Sequence, residues 1–323
     1  MQAVGQPDAV KLRPAERLDE GAKLRLLALR DAVPILPRIA VFIAAPPNRA
    51  HAIAETLESL RAQWHRPDFI KIISTDPADI AGESTLRAHA AAGAITELLC
   101  TELNSATADY TALINAGDTL AVDACLRFAL EAASSQADMI YCDEVVPRDN
   151  SAWVRHKPGW DVTRLRQAAY IGDWVWYRAE AVKKIGGFDP AFAGVEEYEL
   201  QLRLAEAEAR VVRLPETLFT RAAHSRRDNI PSTIFGARAV EAITEHLERT
   251  GIPALVQPRR HFGLFQHCRE TTDPGTSIII LCDGADVAML DRWLTELLSG
   301  SPLTGPIILA GSQMPLETMQ YLA

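Results

Sequence analysis

Ile39-Ala40-Val41-Phe42-Ile43-Ala44-Ala45, closed by Pro46-Pro47-Asn48, is a short apolar run that stops at turn formers. A run this brief and this uniformly apolar predicts a strand buried on both faces, followed by a loop. Downstream, Ile53, Leu57 and Leu60 recur at helical spacing between Ala50 and Gln63, and Phe69 to Ser74 supplies a second strand, ended by Asp76-Pro77. Strand, helix, strand in that order opens a parallel α/β sheet, in which ligands gather beyond the carboxyl ends of the strands. Residues at those ends are therefore the first candidates for function.

The alternation continues. Leu86 to Cys100, extended toward Ala108, reads as an Ala- and Leu-rich helix, Tyr110 to Ile114 as a strand, and Asn115-Ala116-Gly117-Asp118 as the loop at its carboxyl end. A helix from Val122 to Ser134 precedes a strand from Asp138 to Val146 that carries Asp143 and Glu144. Trp174 to Tyr177 alternates as a strand does, Ala179 to Ile185 is a short helix, and Val211 to Leu214 with Thr217 to Arg221 is extended. Phe235 to Thr250 is an amphipathic helix closed by Gly251.

Upstream of Pro37 the chain is a polar leader with one amphipathic helix, Ala22 to Ala32. At the other end, Thr276 to Asp283, Val287 to Leu298 and Pro306 to Ala310 repeat the strand, helix, strand order of Ile39 to Ser74. The expected organisation is a leader (1–37), a main domain (38–272) and a partial second Rossmann-like unit (273–323). A lone β-α-β unit cannot bury both faces of its sheet, which leaves room for a partner. The expectation is a truncated tandem protein or one whose second domain has degenerated.

Composition sets looser bounds. With 323 residues, 48% hydrophobic and 23% charged, the chain can bury a full core. A net charge of -9 argues against nucleic acid or anionic lipid as a broad electrostatic partner. Local basic patches and peripheral membrane contact, such as at the inner membrane face, stay open. Cys100, Cys125, Cys142, Cys268 and Cys282 form no CxxC pair, which fits reduced thiols rather than zinc or a disulfide framework. No apolar stretch approaches the ~20 residues that span a bilayer, and the N-terminus lacks a signal-peptide core, so a cytoplasmic location is expected.

Function is written most densely in Ile185-Gly186-Gly187-Phe188-Asp189 and the following Gly194-Val195-Glu196-Glu197-Tyr198-Glu199-Leu200-Gln201-Leu202-Arg203-Leu204. Two glycines end a helix and permit positive φ, Phe188 can anchor the loop, and a cluster of acids opens the next helix. This segment resembles the "GGF … (Q/E)DYDLxLRL" signature of family-2 inverting glycosyltransferases. Leu57 to Gln63 resembles that family's "LxSLxxQ", Ala112 to Asp118 its "ALLDxDD", and Ile140 to Glu144 its "IYSDE". Lys157 to Trp160 with Tyr170 to Gly172 is similar to "KPDW … NYIG", and Leu214 to Phe219 with Arg221 and His224 to "IPEVLYHWRxH". These blocks cover roughly Arg38 to Glu270.

The resemblance implies a GT-A fold, with a mostly parallel Rossmann-like sheet flanked by helices. It also implies an inverting transfer of a hexose from a nucleotide-diphosphate-sugar donor to a glycan or lipid-linked acceptor, as in polysaccharide biosynthesis. Glu197, the acid before the aromatic residue, would be the base, with Glu196 the weaker candidate; Glu199 reads as structural or solvent-facing. A solvated acid in a helix's first turn is the competing reading of Glu197. Departure of the diphosphate calls for Mg²⁺ or Mn²⁺ on hard oxygen ligands, here Asp118, Asn115 and His224.

That metal loop is degenerate, because Asn115 is neutral and Gly117 has no side chain where the family places acids; a plain turn is an equal reading. An isolated His such as His224 is more often structural. Donor contacts would come from Asp76 and Asn48 with Asn115 and Asp118. Thr75 replaces one of the family's paired acids, Pro46-Pro47 replace a small and an aromatic residue, and the family's Arg-Asn pair is not recognisable. Asp143, Glu144, Asp173 and Trp174 would face the acceptor, and Trp153, Trp160 and Trp176 cluster nearby, where tryptophan serves sugar stacking and core packing alike. The eroded loop also supports a second reading, a catalytically degenerate relative kept as a binding or scaffolding module. A dinucleotide-dependent oxidoreductase is excluded because no GxGxxG follows the first strand.

Overall fold

In the computed structural model, which describes residues 20–45, 50–74, 86–89, 95–148, 151–222, 232–259, 264–269, 277–282, 286–300 and 306–311, helix α1 (Glu20–Ala32) leads into β1 (Ile39–Ala45). All seven residues of β1 are buried, as the unbroken apolar run requires. There follow α2 (Ala50–Arg61), β2 (Phe69–Ser74), β3 (Leu86–His89), α3 (Ile95–Ser105), β4 (Tyr110–Asn115), β5 (Thr119–Leu120) and α4 (Ala124–Ser135). The hairpin β6 (Met139–Arg148) and β7 (Ser151–Arg155) precedes α5 (Val162–Leu165), β8 (Val175–Arg178) and α6 (Ala179–Lys184). A 3₁₀ turn (Pro190–Phe192), α7 (Glu196–Glu206), β9 (Val211–Thr220), α8 (Ser232–Arg249), β10 (Ala254–Pro258) and β11 (Phe265–Arg269) complete the first of two units, Met1–Cys268 and Arg269–Ala323.

The main sheet runs β3-β2-β1-β4-β8-β6-β9-β5, with β7 on β6. Pairs on the β3-to-β4 side are parallel, but β8 is antiparallel to both β4 and β6, so the sheet is mixed where a mostly parallel one was expected. Strand alternation splits the core into two layers. Phe42, Leu113, Tyr141 and Tyr177 meet Leu99, Val182, Leu200 and Ile243 on one face. Ile43, Ile114, Ile140 and Trp176 meet Ile53, Leu60, Phe128 and Ala129 on the other.

Leu86 to His89 is a strand, not the start of a helix; its ladder with Lys71 to Ser74 at the sheet edge outweighs the helical leaning of an Ala-rich stretch that Gly93 in any case divides. Strand β7, paired with β6, and the two-stranded sheet of β10 and β11 were not expected either. β11 belongs with the first unit, since Phe265 N donates to Gln167 O (2.8 Å) and its ring stacks on Tyr198.

In the second unit, β12 (Ile278–Leu281), α9 (Val287–Gly300) and β13 (Ile307–Ala310) form the expected parallel β-α-β. Cys282, Leu290, Trp293 and Leu309 pack together, while Ile279, Leu281 and Ile308 stay exposed. Among the described residues no helix is long and apolar enough to cross a membrane.

Candidate functional site

The carboxyl ends of the central strands converge on a row of acids. β4 ends at Asn115, level with Ala44 of β1. β8 pairs Trp176 with Ala112 of β4, and Val175 with Tyr141 of β6. Asp173, two residues before β8, lies near enough to Asp118 for its charge to act on that carboxyl, and its carbonyl accepts from Lys157. The antiparallel strand thus carries an acid to the edge where its parallel neighbours end.

Asn115 to Asp118 is a built turn. Asp118 Oδ2 accepts from Asn115 N (3.0 Å) and Nδ2 (3.2 Å), and Oδ1 accepts from Ala222 N (2.8 Å). Thr56 of α2, which the sequence reading passed over, locks the turn: its Oγ accepts from Gly117 N (2.8 Å) and donates to Asp118 O (2.8 Å). Gly117 takes φ +98°, and a Cβ there would lie 3.0 Å from that of Ala222. Burial pushes the Asp118 carboxyl up to about 7 and the charge of Asp173 adds to it, against the pull of the Ala222 and Asn115 amides. Asn115 Oδ1 is buried with no hydrogen-bond partner.

Asp143 and Glu144 sit in a register irregularity between β6 and β9. Asp143 accepts from Lys157 N (3.0 Å), Arg213 Nη2 (2.9 Å) and His156 Nδ1 (2.8 Å). Burial raises its carboxyl, but those donors outweigh it and hold Asp143 below the usual carboxylate range. Glu144 is fully buried between Arg155 (2.5 Å) and Lys157 (2.9 Å). Lys157 also donates to Asp173 O (3.3 Å), and Gly172, at φ +74°, covers the cluster where a Cβ would strike Arg155. Both acids are thus tied into ion pairs. Trp174 lies fully buried in the second core layer, edge-on to Phe128. Trp153 is exposed on β7.

The glycine-rich segment does what its residues foretell. Gly186 and Gly187 take φ +94° and +84°. Asn104 clamps the loop, its Oδ1 accepting from Phe188 N (2.7 Å) and its Nδ2 donating to Phe188 O (3.0 Å). Arg203 joins it from α7, donating to Ile185 O and Gly187 O (2.7 Å each) while pairing with Glu199 (2.5 Å), so Glu199 is buried and structural. Glu196 Oε2 accepts from Gly194 N (2.6 Å), tying the chain that enters α7. Glu197 is 3% exposed, and Tyr177 Oη donates to its Oε1 (3.3 Å). That burial removes the reading of Glu197 as a solvated first-turn acid.

Asn48, Asp76 and His224 lie outside the described residues, as do Pro46, Pro47 and Thr75. Among the described residues no group of three or more His, Cys, Asp or Glu is placed to hold a metal ion. A cleft of about 780 Å³ opens at the other end of the strands, lined by Val33, Ile35, Asp109, Arg178 and Lys183 among others, far along the sheet from these acids.

No protein-family model matches the chain. The O-antigen biosynthesis protein RfbC of Myxococcus xanthus is 29% identical over 158 residues, which are 46% of this chain and 12% of that protein. The uncharacterized protein y4gI of Sinorhizobium fredii is 26% identical over 248 residues, 69% of this chain and 27% of that protein. The chain therefore spans only a minor part of the length of both relatives. Staphylococcus aureus TarS 1–349 superposes with a TM-score of 0.50 at 12% identity, covering 65% of each chain; its UDP-GlcNAc complex gives 0.51 at 13%. The fold is that of the GT-A glycosyltransferases: a curled mixed α/β sheet flanked by helices.

Proposed function

We propose that the chain is a glycosyltransferase of polysaccharide assembly, moving a hexose from a nucleotide-diphosphate sugar to a glycan or lipid-linked acceptor with inversion. The observation that carries this reading is the buried Glu197 at the start of α7, in a segment whose glycine turn, Asn104 clamp and Arg203 brace all fix where that helix begins. A carboxylate costs free energy to bury, and a base that takes the acceptor hydroxyl's proton supplies the reason. In the transfer the acceptor oxygen bonds to the anomeric carbon, the bond to the diphosphate breaks with its electron pair, and the proton passes to Glu197.

Supporting context comes from the relative named for O-antigen biosynthesis and from the fold shared with a structure that binds UDP-GlcNAc. A hard cation fits the donor set in kind: Asn115 Oδ1 lacks a partner, and Asp118 and Asp173 repel each other. Asn115 and Asp118 would hold Mg²⁺ or Mn²⁺, which when bound neutralises charge on the departing diphosphate. Asp173 then lines the acceptor side.

One observation favours the second reading, a non-catalytic binding module: both Asp118 oxygens are already engaged by backbone amides, so the acid serves the turn. Screening nucleotide sugars for binding and for release of nucleoside diphosphate separates the two. Turnover supports the transferase; binding without turnover, under every acceptor mixture tried, supports the module.

A further inference from the structure

The hydroxyl of Tyr177, a fully buried residue of β8, lies between two side chains of α7. Gln201 Nε2 donates to it (2.9 Å), and it donates to Glu197 Oε1 (3.3 Å). For an ionised Glu197, chemistry fixes that direction. A carboxylate only accepts, and a phenol has one hydrogen to give. Were the Gln201 amide turned so that its oxygen met Tyr177, it would claim that hydrogen and leave lone pairs facing Glu197; with Nε2 inward, the phenol's hydrogen stays available to Glu197.

The frame around the three residues is stiff. Gln201 is four residues after Glu197, on the same helical face. The Phe188 ring stands at 90° to that of Tyr177, 5.6 Å between centroids, and Asn104 holds the Phe188 backbone. Tyr177 is fixed through β8, where it pairs with Thr111 of β4 and Met139 of β6, four residues before Asn115 and Asp143.

Resting on the reading of Glu197 as base, we infer that Tyr177 and Gln201 are its positioning residues. Gln201 orients the phenol, and the phenol holds the Glu197 carboxylate in one rotamer and in its ionised form. A hydrogen bond to the charged form favours ionisation, so the relay keeps Glu197 ready to accept a proton. Neither residue touches the reacting atoms.

The test needs no known acceptor. The Glu197 carboxyl is titrated by infrared difference spectroscopy, with Glu197→Gln identifying its band. In Tyr177→Phe, which keeps the ring in the core, Glu197 should titrate about 0.5–1 pH unit higher; Gln201→Met should move it the same way by less. Release of nucleoside diphosphate from a nucleotide sugar should fall about tenfold in kcat in Tyr177→Phe, with KM for the donor unchanged. A titration that does not move in Tyr177→Phe overturns the relay even where Glu197→Gln abolishes turnover. Turnover that survives Glu197→Gln removes the base reading, and the relay's part in catalysis with it.

Discussion

Gly186 and Gly187 adopt nearly the same backbone angle but meet different surroundings, so one substitution is the other's control. A Cβ on Gly186 meets nothing within 4 Å, whereas on Gly187 it lies 2.5 Å from Asn104 Oδ1. Gly186→Ala should cost only the strain of positive φ, about 1–2 kcal/mol. Gly187→Ala carries the same strain and also displaces Asn104, whose two bonds to Phe188 are worth about 0.5–1.5 kcal/mol each. The expected total is about 2–5 kcal/mol. Urea unfolding of both variants, with and without Asn104→Ala, separates the terms: once Asn104 is removed, Gly187→Ala should cost no more than Gly186→Ala. Equal costs in the native background would refute the clamp, and with it the argument that this loop fixes the start of α7.

Other expectations concern metal, pH and the chain's second unit. Asn115→Asp adds charge where a hard cation wants oxygen, so calorimetry with nucleoside diphosphate and Mn²⁺ should show tighter binding; an unchanged affinity would mean that Asn115 does not face the cation. His246 accepts from Arg166 (3.0 Å) and bonds Glu206 through Nδ1 (2.8 Å). Burial lowers its pKa, the nearby Arg166 and Arg249 do likewise, and Glu206 opposes them. Between that lowered value and the ordinary ~6.5 the unfolded chain binds more protons, so stability present above about pH 6.5 is lost on acidification. The raised Asp118 carboxyl slopes the other way, so the check is the difference between melting curves of the parent and His246→Gln: the acid-side loss should shrink in the variant. A chain ending before Asp273 keeps all of β11 and should melt cooperatively; loss of that transition would place the second unit in the main core.

Much of this molecule could be read from local pattern. The apolar run of β1, the Asn115–Asp118 turn and the glycine-to-acid entry into α7 are written in adjacent residues, and each formed as its chemistry requires. What escaped depends on distant partners. Nothing in Trp174 to Tyr177 says that β8 runs antiparallel between β4 and β6, and with the strand's direction went the fate of its side chains: Trp174 into the core, Tyr177 toward Glu197. Thr56 was invisible for the same reason, its hydroxyl spent on a loop some sixty residues away. Their place at the carboxyl end of a strand marked Asp143 and Glu144 as pocket-lining, but the cations that bind them, Arg155, Lys157 and Arg213, come from β7, the loop after it and β9. The Glu199–Arg203 pair, by contrast, is an i,i+4 contact that spacing alone offers.

The central claim is that Glu197 takes a proton, and a single substitution addresses it. Glu197→Gln keeps the shape of the side chain and cannot accept a proton. Turnover of the nucleotide sugar in Glu197→Gln, measured beside its donor affinity, should drop by ~10²–10⁴-fold while the affinity stays near the parent's. Turnover within a few-fold of the parent, at equal donor affinity, would contradict the account.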